Sequence, residues 1–204
     1  MSEFQSELFN LAMSEKSQPL MSAVKQHIAD NVEPITAEFF ALDKEKTDRW
    51  SWHPKQLELL DGAKAKAKAS GLWNFFLPDS EMGDGLTNLD YAYIAAELGK
   101  SPLASETLNC SAPDTGNMEV LERVGTPEQK KQWLEPLLAG EIRSAYAMTE
   151  PGLPSSDAKN IATSAVLDGD EWLINGEKFY ISGAGDPRCK IMITMVKTSP
   201  RCPP

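Results

Sequence analysis

The sequence predicts an α+β protein: an all-helical domain over residues 1–142, then the first part of a β-domain over residues 143–204. Two observations predict the division. Apolar residues recur at helical spacing as far as Gly140. Beyond it the runs shorten, become rich in Val, Ile and aromatic residues, and are separated by turn sequences such as Leu167-Asp-Gly-Asp-Glu171 and Ile174-Asn-Gly-Glu177. Asn175-Gly176 in the second of these is a strong hairpin signal.

The helices follow in order. Residues 17–30 and a second piece to residue 42 carry Leu20, Val24, Ile28, Ile35 and Phe39 at helical spacing, and Pro34 is expected to kink or restart the helix. Residues 54–70 put Leu57, Leu60, Ala63 and Ala67 on one stripe, with Gly71 as a left-handed stop. Lys64-Ala-Lys-Ala-Lys-Ala69 is expected to be a solvated face of that helix. Residues 71–85 form a loop whose Trp73, Phe75, Phe76 and Leu77 suit a segment lying over a core. Residues 88–99 are helical behind Thr87 and Asp90, set as a capping box. Residues 114–124 are helical up to Gly125, and Thr126-Pro-Glu-Gln129 supplies the cap, the first-turn proline and the third-position glutamine of a helix closing at Gly140. Strands are expected at residues 144–148, 161–167, 171–174, 178–182 and 191–196. Trp50 with Trp52, and Trp73 with Phe75 and Phe76, are expected as core or interface anchors.

Composition excludes several functions. With 20 basic against 30 acidic residues, the net charge of −10 disfavours nonspecific binding to nucleic acid or an anionic membrane. No apolar run approaches the ~20 residues of a membrane helix, and the acidic start lacks the order of a signal peptide. Three separated cysteines (Cys110, Cys189, Cys202) suit a reducing compartment, so a cytoplasmic protein is expected and Asn109-Cys-Ser111 is read as a chance glycosylation match. His27 and His53 have no second ligand at helical spacing, so no metal site is expected and each is assigned a surface or capping role. Gly183-Ala-Gly185 lacks the third glycine of a dinucleotide fingerprint, and Ser155-Ser156 is not a nucleophile elbow. The proline-rich end, Thr198-Ser-Pro-Arg-Cys-Pro-Pro204, suggests part of a longer polypeptide.

Two segments carry chemistry. Tyr146-Ala-Met-Thr-Glu-Pro-Gly-Leu-Pro-Ser-Ser-Asp157 reads as a strand running into a polar turn, rich in backbone donors and small hydroxyls. Ile174-Asn-Gly-Glu-Lys-Phe-Tyr-Ile-Ser182 ends in an aromatic and a hydroxyl two positions apart. A planar, nitrogen-rich ring needs backbone groups for its polar edge, a hydroxyl for a ring nitrogen and an aromatic wall.

Together the two segments resemble the flavin-binding signature of the acyl-CoA dehydrogenases. The resemblance extends through Gly85-Leu-Thr-Asn-Leu-Asp-Tyr-Ala-Tyr-Ile-Ala-Ala-Glu-Leu-Gly99, Ala112-Pro-Asp-Thr-Gly-Asn-Met118, Glu128-Gln-Lys-Lys-Gln-Trp-Leu-Glu-Pro-Leu-Leu138 and Gly183-Ala-Gly-Asp-Pro-Arg-Cys-Lys190. Two of these blocks look like the branch fused, in larger animal relatives, to a phosphotransferase-like kinase domain. No kinase motif is present here. The resemblance implies a helical domain, a middle β-barrel domain begun here, and a C-terminal helical domain absent from this sequence. It also implies FAD, an acyl-CoA substrate oxidised to a 2-enoyl-CoA in fatty acid β-oxidation, electron-transfer flavoprotein as electron acceptor, and a homodimer or homotetramer.

Residue by residue, the resemblance assigns cofactor binding to Tyr146, Ala147, Met148, Thr149, Ser155, Ser156, Tyr180, Ile181 and Ser182. Met148 and Thr149 fall at the pyrimidine edge of the flavin, Ser182 at N5, Tyr180 beside the ring, and Ser156 at the acyl-CoA. The catalytic carboxylate falls in the absent domain, so no base is assigned and the chain by itself is expected to be inactive. The family's Gly-x-Gly-Ser-Asp turn is one residue longer here, Gly152-Leu-Pro-Ser-Ser-Asp157, and serine replaces the commoner threonine at 182. The same scaffold also allows oxidase or monooxygenase chemistry, or a non-catalytic module that pairs with longer subunits.

Overall fold

In the computed structural model, residues 11–77 and 83–198 are described, and the chain divides into two units, Met1–Thr115 and Gly116–Pro204. Residues 199–204, with Cys202, lie outside the described set.

The first unit is helical. α1 (Gln18–His27) passes through a π turn at Ile28–Val32 straight into α2 (Glu33–Ala41). Pro34 thus stands in the first turn of α2, where helical pairing resumes after the π turn. A proline has no N–H and crowds the carbonyl four residues back, and one wide turn just before it relieves that crowding. α3 (Pro54–Ala69), α4 (Asn88–Leu98) and the single turn α5 (Ala104–Thr107) complete the unit. Val24, Ile28, Val32, Phe39, Leu60, Ala67, Ile94 and Leu98 are buried, as are Phe75, Phe76 and Leu77 of the loop. Each such large side chain contributes roughly 1.5–3 kcal/mol by leaving water.

Caps explain where the helices begin. At α4 the Thr87 hydroxyl accepts from the Asp90 amide. The Asp90 carboxylate does not close a full capping box; it accepts from the Thr87 hydroxyl and from the Ser14 amide instead. His53 caps α3, its Nδ1 accepting from the Lys55 N–H while its own amide donates to Gln56 Oε1.

Two expectations fail here, those for His27 and Lys64. His27 is not a surface residue: it is buried, and its Nε2 lies 3.3 Å from Thr107 Oγ1. Because the Thr107 hydroxyl donates to the Ala104 carbonyl, Nε2–H is the donor in that pair. Burial, then the Lys66 charge, pushes the His27 pKa down and keeps the ring neutral. Lys64 is not solvated; it is buried and ion-paired to Glu106 at 3.0 Å, while Lys66 and Lys68 stay exposed. Trp50 is 49% exposed with the Arg49 guanidinium 4.5 Å from its ring, which excludes the core role and leaves the interface one.

α6 (Asp114–Val124) begins at the end of the first unit and runs into the second, which then holds α7 (Pro127–Gln129), a π turn at Lys130–Leu134 and α8 (Glu135–Ala139). The Thr126 box and the left-handed Gly140 stop are as expected, and Pro136 sits just past the π turn, as Pro34 does. Strands follow: β1 (Arg143–Ala147), β2 (Ser164–Asp168), β3 (Glu171–Asn175) and β4 (Cys189–Thr194). β1 pairs with β4 in parallel, and β2 with β3 in antiparallel around Gly169-Asp170. Lys197, beyond β4, bridges to Ser164, so the two ladders meet at the start of β2. The described strands form no closed barrel.

The chain does not turn back at Asn175-Gly176, and residues 178–182 form no strand. Gly176 instead presses against Thr163, with a positive φ of 156°, where an added Cβ would lie 2.7 Å from the Thr163 Cα. That approach removes the room a hairpin partner would use and sends the following residues across to the end of β1. Gly176→Ala should cost about 1–3 kcal/mol by overpacking. Urea unfolding of the variant with an unshifted midpoint would contradict this placement.

Candidate functional site

The two signature segments meet at the exit of β1. Ala147, its last residue, is buried, and its carbonyl accepts from the Met195 N–H at 2.9 Å. Asn117 of α6 holds the strand from behind, its Nδ2 donating to Ser144 Oγ at 2.8 Å and to the Ala145 carbonyl at 3.0 Å. Past β1 the chain loses its ladder at Met148, Thr149 and Glu150.

Glu150 then organises everything near it. Its side chain is 3% exposed, although it is a carboxylate. Oε2 accepts from the Ala162 N–H, and Oε1 accepts from the Thr163 N–H at 2.9 Å and from Lys178 Nζ at 2.8 Å. The Glu150 amide donates to the Ser155 hydroxyl at 2.7 Å, which closes the turn after Gly152. Lys178 Nζ also donates to the Met148 carbonyl at 2.9 Å, and the Phe179 N–H donates to the Thr149 carbonyl at 3.1 Å. Through its amide, its carboxylate and Lys178, Glu150 thus joins the end of β1, the Pro154–Ser155 turn, the approach to β2 and the crossing segment.

Its ionisation follows from this environment. Burial pushes the Glu150 pKa up, but the Lys178 ammonium and the donors of Thr163 and Ala162 outweigh burial and hold it at about 2.

The expected cofactor residues separate by exposure. Thr149, Ser156 and Ser182 are exposed, and among the described residues their hydroxyls make no hydrogen bond within the chain. Tyr180 is 87% exposed, its ring 4.5 Å from that of Phe179, on a backbone with φ of +54°. Tyr146 is exposed, Met148 and Ile181 are half-buried, and Ser155 is buried with its hydroxyl committed to Glu150. Sequence reasoning missed Glu150, Lys178 and Asn117. The first two had a signal: an acid in the first segment between Thr149 and Pro151, and the single base of the second segment, next to Phe179. Among the described residues no group of three or more His, Cys, Asp or Glu could hold a metal ion, and no helix is long and apolar enough to cross a membrane.

The geometry is that of a β-edge presenting hydroxyls and an aromatic ring beyond a buried charge pair. The family of the acyl-CoA dehydrogenase N-terminal domain matches residues 14–141, and that of the acyl-CoA dehydrogenase middle domain matches residues 145–202. The chain belongs to the acyl-CoA dehydrogenase family. It is 49% identical over 188 residues to acyl-CoA dehydrogenase family member 11 of Gallus gallus, covering 91% of this chain and 23% of that protein. A protein assigned as an acyl-CoA dehydrogenase in Mycobacterium tuberculosis is 54% identical over 143 residues, covering 70% of this chain and 34% of the relative. A solved structure assigned as an acyl-CoA dehydrogenase, from Mycobacterium abscessus, superposes with a TM-score of 0.84 at 47% identity, over 93% of this chain and 48% of that one. A glutaryl-CoA dehydrogenase from Mycobacterium smegmatis, solved in complex with FADH2, shares the fold at 24% identity and a TM-score of 0.58, over 86% of this chain and 42% of that one. The chain therefore spans from about a quarter to about half the length of these relatives.

The carboxylate pair has a signed pH dependence. Glu150 is depressed from its ordinary 4.5, so the stability it contributes is complete above pH 4.5 and is lost as pH falls from there through about 2. The urea midpoints of the wild type and Glu150→Gln should differ most above about pH 4.5 and converge only as pH falls to about 2. A constant gap between them would refute the assignment. Lys178→Met strands the carboxylate and should destabilise the unit by about 3–5 kcal/mol at neutral pH, read as a lower thermal midpoint.

Proposed function

We propose that this chain contributes the helical part, ending near residue 142, and the flavin-edge wall of an FAD-dependent acyl-CoA dehydrogenase. One observation carries the proposal: the exposed hydroxyls of Thr149 and Ser182, without a hydrogen bond among the described residues, lie on two segments tied together by direct hydrogen bonds. An exposed polar group positioned by a buried network is what a ligand edge requires. FADH2 bound to a glutaryl-CoA dehydrogenase of the same fold supports the choice of ligand.

The residues present fit the group. The Met148 and Thr149 carbonyls are already accepting from Lys178 and Phe179, so the Thr149 hydroxyl and nearby N–H groups are the natural donors to the pyrimidine edge. Donors aimed where negative charge develops stabilise it without reorganising. The Ser182 hydroxyl would hold the ring near N5, the Tyr180 ring would cover one side of it, and Ser156 would meet the acyl-CoA. When bound, FAD supplies a hydride acceptor at N5 for the β-carbon of the thioester while a base takes the α-proton.

That base is not Glu150. A carboxylate held near 2 by a lysine is a weak proton acceptor at neutral pH, and its oxygens already accept three donors. The base comes from outside these residues. Release of a 2-enoyl-CoA in fatty acid β-oxidation, electron transfer to electron-transfer flavoprotein, assembly as a homodimer or homotetramer and a cytoplasmic location complete the proposal for the whole protein.

The test is direct. FAD titrated into the chain should give a protein-bound flavin spectrum. Acyl-CoA added without oxygen should leave that flavin oxidised, and bleaching by this chain would show that the base has been missed. Thr149→Ala should weaken FAD by one charge-assisted hydrogen bond, about 1.5–3 kcal/mol, and unchanged affinity would remove Thr149 from the edge. Ser182→Ala should shift the flavin reduction potential; an effect confined to CoA affinity would mean that Ser182 has been misplaced.

A further inference from the structure

Glu150 and Lys178 are buried, and they stand between the two halves of the proposed flavin edge. Among the described residues, a single backbone hydrogen bond joins those halves, from the Phe179 N–H to the Thr149 carbonyl. A lone bond of this kind leaves the crossing segment free to pivot about it. Lys178 supplies the second point, donating to the adjacent Met148 carbonyl at 2.9 Å and to Glu150 Oε1 at 2.8 Å. Glu150 then ties that assembly to the approach of β2 through the Ala162 and Thr163 amides.

The crossing segment needs such anchors more than a strand would. Residues 178–182 have no ladder, and Tyr180 holds a left-handed backbone that a bulky L-residue adopts only when its surroundings impose it. The anchors stand on either side of it. Lys178 and Phe179 precede the strained residue, and a turn from the Ala184 N–H to the Ile181 carbonyl follows it at 3.2 Å. Lys178 itself is unsuited to hold a phosphate, because its side chain is 12% exposed and its ammonium already serves two acceptors.

We propose that the Glu150–Lys178 pair is a positioning element of the cofactor site, setting the spacing and register of Met148–Thr149 against Tyr180–Ser182 so that both hydroxyls address one ring. This rests on the flavin reading above. The charges make the clamp close to all-or-none: with either partner removed, the other is left buried and uncompensated.

The experiment compares the full chain with Glu150→Gln, Lys178→Met, Lys178→Arg and the double variant E150Q/K178M. FAD binding is followed by flavin fluorescence and by the shape of the bound visible band, and hydrogen exchange is read on a peptide containing Phe179. Both single neutralising variants should lose about ten- to a hundredfold in FAD affinity, alter the bound spectrum and speed exchange at Phe179. Lys178→Arg, which keeps charge and donors, should restore binding and spectrum. The double variant leaves no buried charge unpaired, so it keeps its fold if the single variants do not, and it should still bind FAD weakly. Wild-type affinity and spectrum in the double variant overturn the proposal while leaving the flavin reading intact. No flavin binding by the wild type at saturating FAD overturns the flavin reading, and the proposal falls with it.

Discussion

A carboxylate withdrawn from water must be matched by charge and by donors, and Glu150 imposes that demand on the whole second unit. Its two oxygens draw in the Lys178 ammonium and two consecutive amides from residues 162–163. Those amides lie just before β2, so the strand begins where the carboxylate releases the chain. The lysine lies just after Gly176, whose close approach to Thr163 steers the chain toward it. Remove the charge, and no backbone ladder would bring residues 178–182 to the end of β1.

This explains the unevenness of what the sequence revealed. Helices were legible because their signals are local. Thr126 with Gln129, Gly140 as a left-handed stop and Pro54 in a first turn each act within a few residues. Pro34 announced an interruption but not its form, a π turn, which has no composition of its own. His27 and Lys64 misled for a different reason. Each is polar on a helix, and only tertiary partners, Thr107 and Glu106, decide that it is buried.

The candidate site was legible as two strings of residue types, and both strings do meet. The expected strand at residues 178–182 did not form, because Asn175-Gly176 was read as a turn when the glycine serves a close approach. Both meanings of a glycine look the same in one sequence. Glu150 and Lys178 lay inside the quoted segments but were passed over, since a charge near an exposed hydroxyl reads as solvated until its burial is known. Their opposite signs, one in each segment, were the available clue.

The burial of that pair also divides labour within the proposed chemistry. A group that must take a proton needs a pKa near the working pH and an open lone pair. A group that must hold geometry needs a fixed charge and filled lone pairs. Glu150 has the second set of properties, with three donors on two oxygens and a pKa of about 2. Its own fixity keeps it out of proton transfer, and the same fixity leaves Thr149 and Ser182 with exposed hydroxyls on a backbone that does not need them. The side chains proposed to meet the ligand are thus spared structural duty by the charge behind them.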